Sequence, residues 1–279
     1  LSSKITVKNL ALSGRSSKSF LTESNYETLK SSIKAGDYLL IGFGNNDEKG
    51  DDAARFTDAT KDVTDESSFK YSLYTYYVKL AEDAGATPIL CSPIVRLSSS
   101  NDYSGSSGHV TSYGDYGKAV VELGAEKNVQ VVDLTTITKE LYTELTYDKA
   151  IYFHAMTAGE SEDVPKLTSV DSTHINNYGA KRVAYEIGQA LKAGSCSLGK
   201  YVTDAAAPTQ ESDLIKNPGY TYTDYIAADW SSYEADSAFA TLTDGWYGTA
   251  FGSTGGNPVS KGFVANETEA GVFPVGNEN

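Results

Sequence analysis

The sequence predicts an α/β protein: a parallel sheet covered by helices on both faces, followed by a C-terminal extension. Three observations carry this expectation. Apolar runs at 38–43, 87–93 and 129–134 read as continuous rather than alternating, which marks strands buried on both sides. Segments of helical periodicity separate them, at lengths suited to crossover connections. The first run also passes straight into Gly44-Asn45-Asn46-Asp47, as expected at the carboxyl edge of an open α/β sheet, where ligands bind.

Taken in order, Ile5-Thr6-Val7 reads as a short strand, and 9–20 as a loop leading into a helix. In that loop Gly14 can bring a bare backbone N–H close to a ligand, or simply make a turn. Residues 26–34 look helical, with Leu29 and Ile33 on one face, and Ala35-Gly36-Asp37 closes the helix. After the strand at 38–43, the Asn46 amide is placed to donate to a developing oxyanion. An Asx turn at Asn45, Asn46 or Asp47 is the plainer alternative.

Residues 50–66 form an acidic loop. The helix at 68–84 that follows has Leu73, Tyr76, Tyr77 and Leu80 as its inner face. The strand at 87–93 leads into a Ser/Asn/Gly-rich segment, 96–108, expected to be a flexible lid or substrate-facing loop. A helix at 113–126, a strand at 129–134 and a helix at 136–145 complete the alternation. Beyond a polar loop come Asp171-Ser172-Thr173-His174 and a closing helix at 179–191.

Only three histidines occur, His109, His154 and His174, and the last sits three residues after an acid. A carboxylate that accepts a hydrogen bond from imidazole fixes its tautomer and stabilises the imidazolium formed when His takes a proton from a hydroxyl. The competing reading makes Asp171 or Thr173 the N-cap of the following helix. His109 and His154 read as loop residues. The three histidines match no metal-ligand spacing, and no Gly-x-x-x-x-Gly-Lys run is present, so neither metal nor cofactor is expected.

Composition narrows the partners. With 279 residues the chain can bury a full α/β core and still supply a second unit. A net charge of −14, with nothing basic clustered, argues against nucleic acid and against anionic membrane surfaces. No apolar run reaches a transmembrane length, and no signal peptide opens the chain. Cys91 lies in an apolar strand and is expected to be a buried inert thiol. Two cysteines are too few for a disulfide scaffold, and pairing of Cys91 with Cys196 is left open. Twenty tyrosines against nine phenylalanines suit a surface that handles sugars. Past Gly199 the texture changes. Residues 1–199 are expected to form the main domain, and 200–279 a linker with an extension carrying Trp230 and Trp246. That extension is either a packed tail or part of a β-rich, sugar-stacking module.

Three blocks together resemble the SGNH (GDSL-like) hydrolases, within them the rhamnogalacturonan acetylesterase group. Residues 9–20 are similar to the block around the oxyanion glycine. Gly42-Phe43-Gly44-Asn45-Asn46-Asp47 is similar to the Phe-Gly-His-Asn-Asp block, with Asn45 in the place of His. Asp171-Ser172-Thr173-His174 matches the final Asp-x-x-His. The likeness spans roughly 5–195 and implies a three-layer α/β/α, flavodoxin-like fold. It also implies a secreted or cell-surface esterase that removes acetyl groups from pectin, rhamnogalacturonan or xylan. His174 would be the general base, Asp171 its orienting carboxylate, and the Gly14 N–H and Asn46 amide the oxyanion donors.

One departure is serious. The group's nucleophile is the Ser of a Gly-Asp-Ser block at the end of the first strand, and no Gly-Asp-Ser occurs here. Leu1 lies four residues before the second expected strand, so the first strand and its serine are expected on a longer polypeptide. Two other sources compete with this: a permuted strand at 272–277, where Glu278 takes the Ser place, and a replacement among Ser13, Ser16 and Ser17. A catalytically silent carbohydrate-binding protein with the same fold is the alternative function.

Overall fold

A computed structural model describes residues 1–158, 167–175 and 177–208. The expected extension past 208, with Trp230, Trp246 and the 272–278 segment, lies outside the described residues. Two units are distinguished. One comprises Leu1–Glu144 with Glu186–Asp204, and the other contains Leu145–Tyr185.

In the first unit, helix α1 (Ser24–Ser32) precedes strand β1 (Tyr38–Gly42). Helices α2 (Phe69–Leu73) and α3 (Lys79–Asp83) are joined by a π-helical turn, Tyr74–Val78, so the expected single helix forms with one widened turn. Strand β2 (Thr87–Cys91) follows, then a two-stranded antiparallel pair of β3 (Val110–Thr111) and β4 (Gly114–Asp115). Helix α4 (Tyr116–Lys127), strand β5 (Gln130–Val132) and helix α5 (Leu134–Leu145) complete the pattern. The sheet is parallel in the order β1–β2–β5, with Leu40 opposite Ile89 and Leu90 opposite Val131. Central β2 buries Ile89 and Leu90 completely, which is why its sequence from Pro88 to Cys91 is apolar.

Local chemistry sets the helix ends. Ser68 accepts from the Lys70 N–H at the start of α2, and Asp115 accepts from the Lys118 N–H at the start of α4. Asn128, at φ 53°, closes α4 in the left-handed conformation that Asn tolerates. The core is aromatic: Phe20, Tyr26, Phe43 and Tyr77 meet at centroid separations of 4.9–6.4 Å.

Tyrosine is used here where phenylalanine would leave main-chain acceptors unpaired. Tyr77 donates to the Ser17 carbonyl at 2.6 Å and Tyr116 to the Thr57 carbonyl at 2.6 Å. Tyr77 is a core residue, as expected from its place on the inner helix face, and Tyr116 is one that composition alone did not mark. Both Cys91 and Cys196 are free thiols, and burial pushes the Cys91 thiol up to about 12. That agrees with the inert thiol expected at Cys91.

Three expectations are corrected. Ile5-Thr6-Val7 forms no strand; Val7 is 73% exposed, and no ladder partner for this segment occurs among the described residues. The 96–108 segment is pinned. Val95, Leu97 and Tyr103 are buried, the Val95 N–H donates to Thr138 Oγ1 at 3.0 Å, and Arg96 donates to the Ser106 carbonyl at 2.6 Å.

The third correction concerns the second unit, where short helix α6 (Tyr147–Ala150) leads to strands β6 (His154–Ala158) and β7 (Leu167–Ile175). These pair antiparallel with register shifts, so Asp171–His174 lies within a strand, not after a loop, as the irregular turn between the Val170 and Ile175 pairings. Helix α7 (Asn177–Ala193) follows, and no helix among the described residues is long and apolar enough to cross a membrane.

Candidate active site

Gly14 and Asn46 both belong to the first unit, and the structure brings their loops together. Gly14 has φ +72°, a conformation L residues rarely adopt, and a Cβ there would meet nothing within 4 Å. Asn46 Nδ2 donates to the Arg15 carbonyl at 3.3 Å, which ties the amide to the chain next to Gly14. Its other end, Oδ1, accepts from Arg55 Nη1 at 3.3 Å, and Asp52 holds Arg55 at 2.6 Å. Arg55 thus decides which way the Asn46 amide faces.

Beneath this pair lies Asp47, fully buried. It accepts from the Ser17 N–H at 3.0 Å, the Ser17 hydroxyl, Thr57 Oγ1 at 2.9 Å and the Gly44 N–H at 3.1 Å. Burial pushes its carboxyl up to about 6, against the pull of these four donors. Asp47 locks the glycine loop to the asparagine turn. It also commits Ser17, while Ser16 is fully buried and exchanges hydrogen bonds with Ser19 at 2.8 and 3.0 Å. Neither serine presents a hydroxyl as a nucleophile must.

The same turn is held from its other side. Glu48 is paired with Arg96 and lies 3.2 Å from Nδ1 of buried His109, and Arg96 also donates to Asn45 Oδ1 at 2.7 Å. Burial alone would raise the Glu48 carboxyl, but the His109 hydrogen bond and the Arg96 charge hold it below the usual range. His109, expected as a loop residue, is a core member of this network, with Nε2 2.7 Å from the Ile94 carbonyl.

Asp171 and His174 meet within the second unit. Asp171 Oδ2 lies 2.7 Å from His174 Nδ1, while Oδ1 accepts from the Thr173 and His174 N–H groups at 2.7 and 3.0 Å. Burial pushes the Asp171 carboxyl up, yet the hydrogen bonds from His174 and Thr173 outweigh it and leave the group low. An ionised carboxylate can only accept, so Nδ1 carries the proton and Nε2 the lone pair. Helix capping is not what Asp171 does, because its bonds close inside the turn and α7 starts only at Asn177. Imidazole and carboxylate side chains are 49% and 20% exposed, so the pair is held yet open to solvent. Gly179 is required nearby, as a Cβ would come within 2.2 Å of the Phe153 carbonyl.

No family model matches the chain. Over 192 residues, 67% of this chain and 77% of the relative, it is 27% identical to a probable rhamnogalacturonan acetylesterase, YesY, of Bacillus subtilis. Over 189 residues, 67% and 75% of the two chains, it is 29% identical to the rhamnogalacturonan acetylesterase RhgT of the same organism. The chain is thus similar to two rhamnogalacturonan acetylesterases. The likeness expected from the three sequence blocks is thereby borne out.

Among solved structures, the Bacillus subtilis protein YxiM matches with a TM-score of 0.50 at 21% identity, covering 67% of this chain and 46% of that one. That match bears on the fold, the three-layer α/β/α class with a parallel sheet. Sequence reasoning missed the roles of Asp47, Arg55 and His154. Asp47 was visible as part of the Asn46 turn, but its burial was not. His154 gave no signal at all, since the hairpin that brings it under the Asp171 turn has a polar, irregular register.

Proposed function

We propose that this chain carries the acid–base and oxyanion groups of a carbohydrate esterase that removes O-acetyl groups from a plant cell-wall polysaccharide, in particular rhamnogalacturonan. The Asp171–His174 hydrogen bond, with Nδ1 as donor, is the observation that carries the reading. The names of YesY and RhgT support the substrate class.

In this reading His174 Nε2 takes the proton of a serine hydroxyl as its oxygen attacks the acetyl carbonyl. The carbonyl π electrons move to oxygen, and the Gly14 N–H and Asn46 amide hold the oxyanion. Collapse breaks the bond to the sugar oxygen, which takes the proton from His174 and leaves an acetyl-enzyme. Water, deprotonated by His174, then releases acetate and restores the serine. The attacking serine is unassigned: no Gly-Asp-Ser is present, Ser16 and Ser17 are buried, and exposed Ser13 has nothing among the described residues that marks it as a nucleophile. The same facts favour the second reading, a silent protein that binds the polysaccharide.

Acetate release from acetylated rhamnogalacturonan tests the choice, using the chain alone and the chain with a strand ending in Gly-Asp-Ser joined ahead of Leu1. The esterase reading expects acetate from the joined chain. Polysaccharide binding by both without acetate from either would establish the silent reading instead. In the active form, Asn46→Ala is expected to lower kcat by roughly 10²–10³-fold with KM little changed, the loss typical of one oxyanion donor. An equal fall in binding would show that Asn46 holds the ground state.

A further inference from the structure

We propose that His154 is a positioning residue for the Asp171–His174 pair, stapling the turn between them from below through its imidazole; the inference rests on the esterase reading for its purpose but not for its geometry. His154 is completely buried at the start of β6. Its Nδ1 lies 2.9 Å from the Asp171 carbonyl oxygen. This side chain therefore engages the backbone of the residue that carries the orienting carboxylate, three residues before His174. Register irregularity next to His154 leaves the β6–β7 ladder weak at this place, so the side chain supplies what the ladder does not.

A carbonyl oxygen can only accept, so Nδ1 of His154 must carry hydrogen. Burial drives the ring strongly toward its neutral form, down to about 4, against the favourable pull of the Asp171 and His174 backbone and the Asp171 charge. The titratable groups facing it are Asp171 and His174. Neutrality matters for function. A cation here would repel the imidazolium that His174 must become, and it would compete for the Asp171 charge. A neutral donor fixes the turn without doing either.

Nitrogen-15 and proton NMR of the imidazole groups in the full 279-residue chain tests this without requiring turnover. In the wild type, hydrogen is expected on His154 Nδ1, protected from exchange. The His174 Nδ1 proton shared with Asp171 is expected downfield. In His154→Leu the His174 proton should exchange faster and lose its downfield shift, and in His154→Asn, whose amide can donate from the place of Nδ1, it should be retained. Hydrogen on His154 Nε2 alone, or an unchanged His174 signal in folded His154→Leu, overturns the proposal. If His154→Leu does not fold, the wild-type tautomer and the His154→Asn spectrum still decide.

With the Gly-Asp-Ser strand joined, His154→Leu is expected to lower kcat by up to about a hundredfold with KM unchanged, the cost of a misplaced base. A wild type that releases no acetate sinks the esterase reading, while the NMR spectra still decide the role of His154.

Discussion

His174→Ala in the acetate-releasing form is expected to reduce kcat by on the order of 10³-fold or more, with little change in KM. His174 is the only group in the proposed mechanism that both removes and returns the proton, so nothing remains to activate a hydroxyl when it is gone. Asp171→Asn should cost on the order of 10⁴-fold, although the side chain keeps its size. An Asn amide can donate to Nδ1 and turn the ring into the tautomer whose Nε2 carries hydrogen and cannot accept. The 2.7 Å contact between Asp171 Oδ2 and His174 Nδ1 makes that reversal unavoidable if the turn keeps its shape. A mild loss in Asp171→Asn, under about tenfold, would show that the carboxylate does not select the tautomer.

Asp47→Ala is expected to have the largest effect on stability, about 3 kcal/mol in urea unfolding. It leaves the Ser17 and Gly44 N–H groups without an acceptor in a buried place, at about 1–3 kcal/mol each. The loss should depend on pH in a definite sense. With its carboxyl pushed up to about 6, folded Asp47 keeps a proton that the unfolded chain has released between the ordinary carboxylate range and about 6. Stability contributed by Asp47 therefore falls as pH rises through that window and is level above it. Alanine has nothing to titrate, so the difference between wild type and variant should be larger near about pH 4 than near about pH 7. A difference that grows with pH would mean the four donors, not burial, dominate the group.

What the sequence could reveal followed from how each element is stabilised. β1, β2 and β5 were legible from their mostly apolar runs, and Ile89, Leu90 and Cys91 of β2 are buried as expected, whereas Leu40 of β1 is 43% exposed, so the same signal overstated burial there. The helix at 69–83 was legible from its period, down to Leu73 and Tyr77 on the buried face. Asp171 and His174 stood out because histidine is scarce and an acid three residues away can reach it within one turn.

The β6–β7 hairpin was not legible, because the β7 sequence around Asp171-Ser172-Thr173-His174 is polar and the pairing is irregular. His154 then lies 17 residues from Asp171, a separation that says nothing without the hairpin. Tyrosine content misled in a different way. Composition cannot distinguish a ring that faces sugar from one like Tyr116, whose hydroxyl satisfies a buried carbonyl.

The most direct test of the central claim, that His174 and Asp171 activate a serine hydroxyl for acyl transfer, is reaction with an alkyl fluorophosphonate followed by intact mass and peptide mapping. Activation by this pair predicts one adduct, on the serine of the joined Gly-Asp-Ser strand, no adduct on Ser16 or Ser17 in the 279-residue chain, and no adduct at all after His174→Ala. An adduct that forms equally well without His174, or that maps to Ser16 or Ser17, would contradict it.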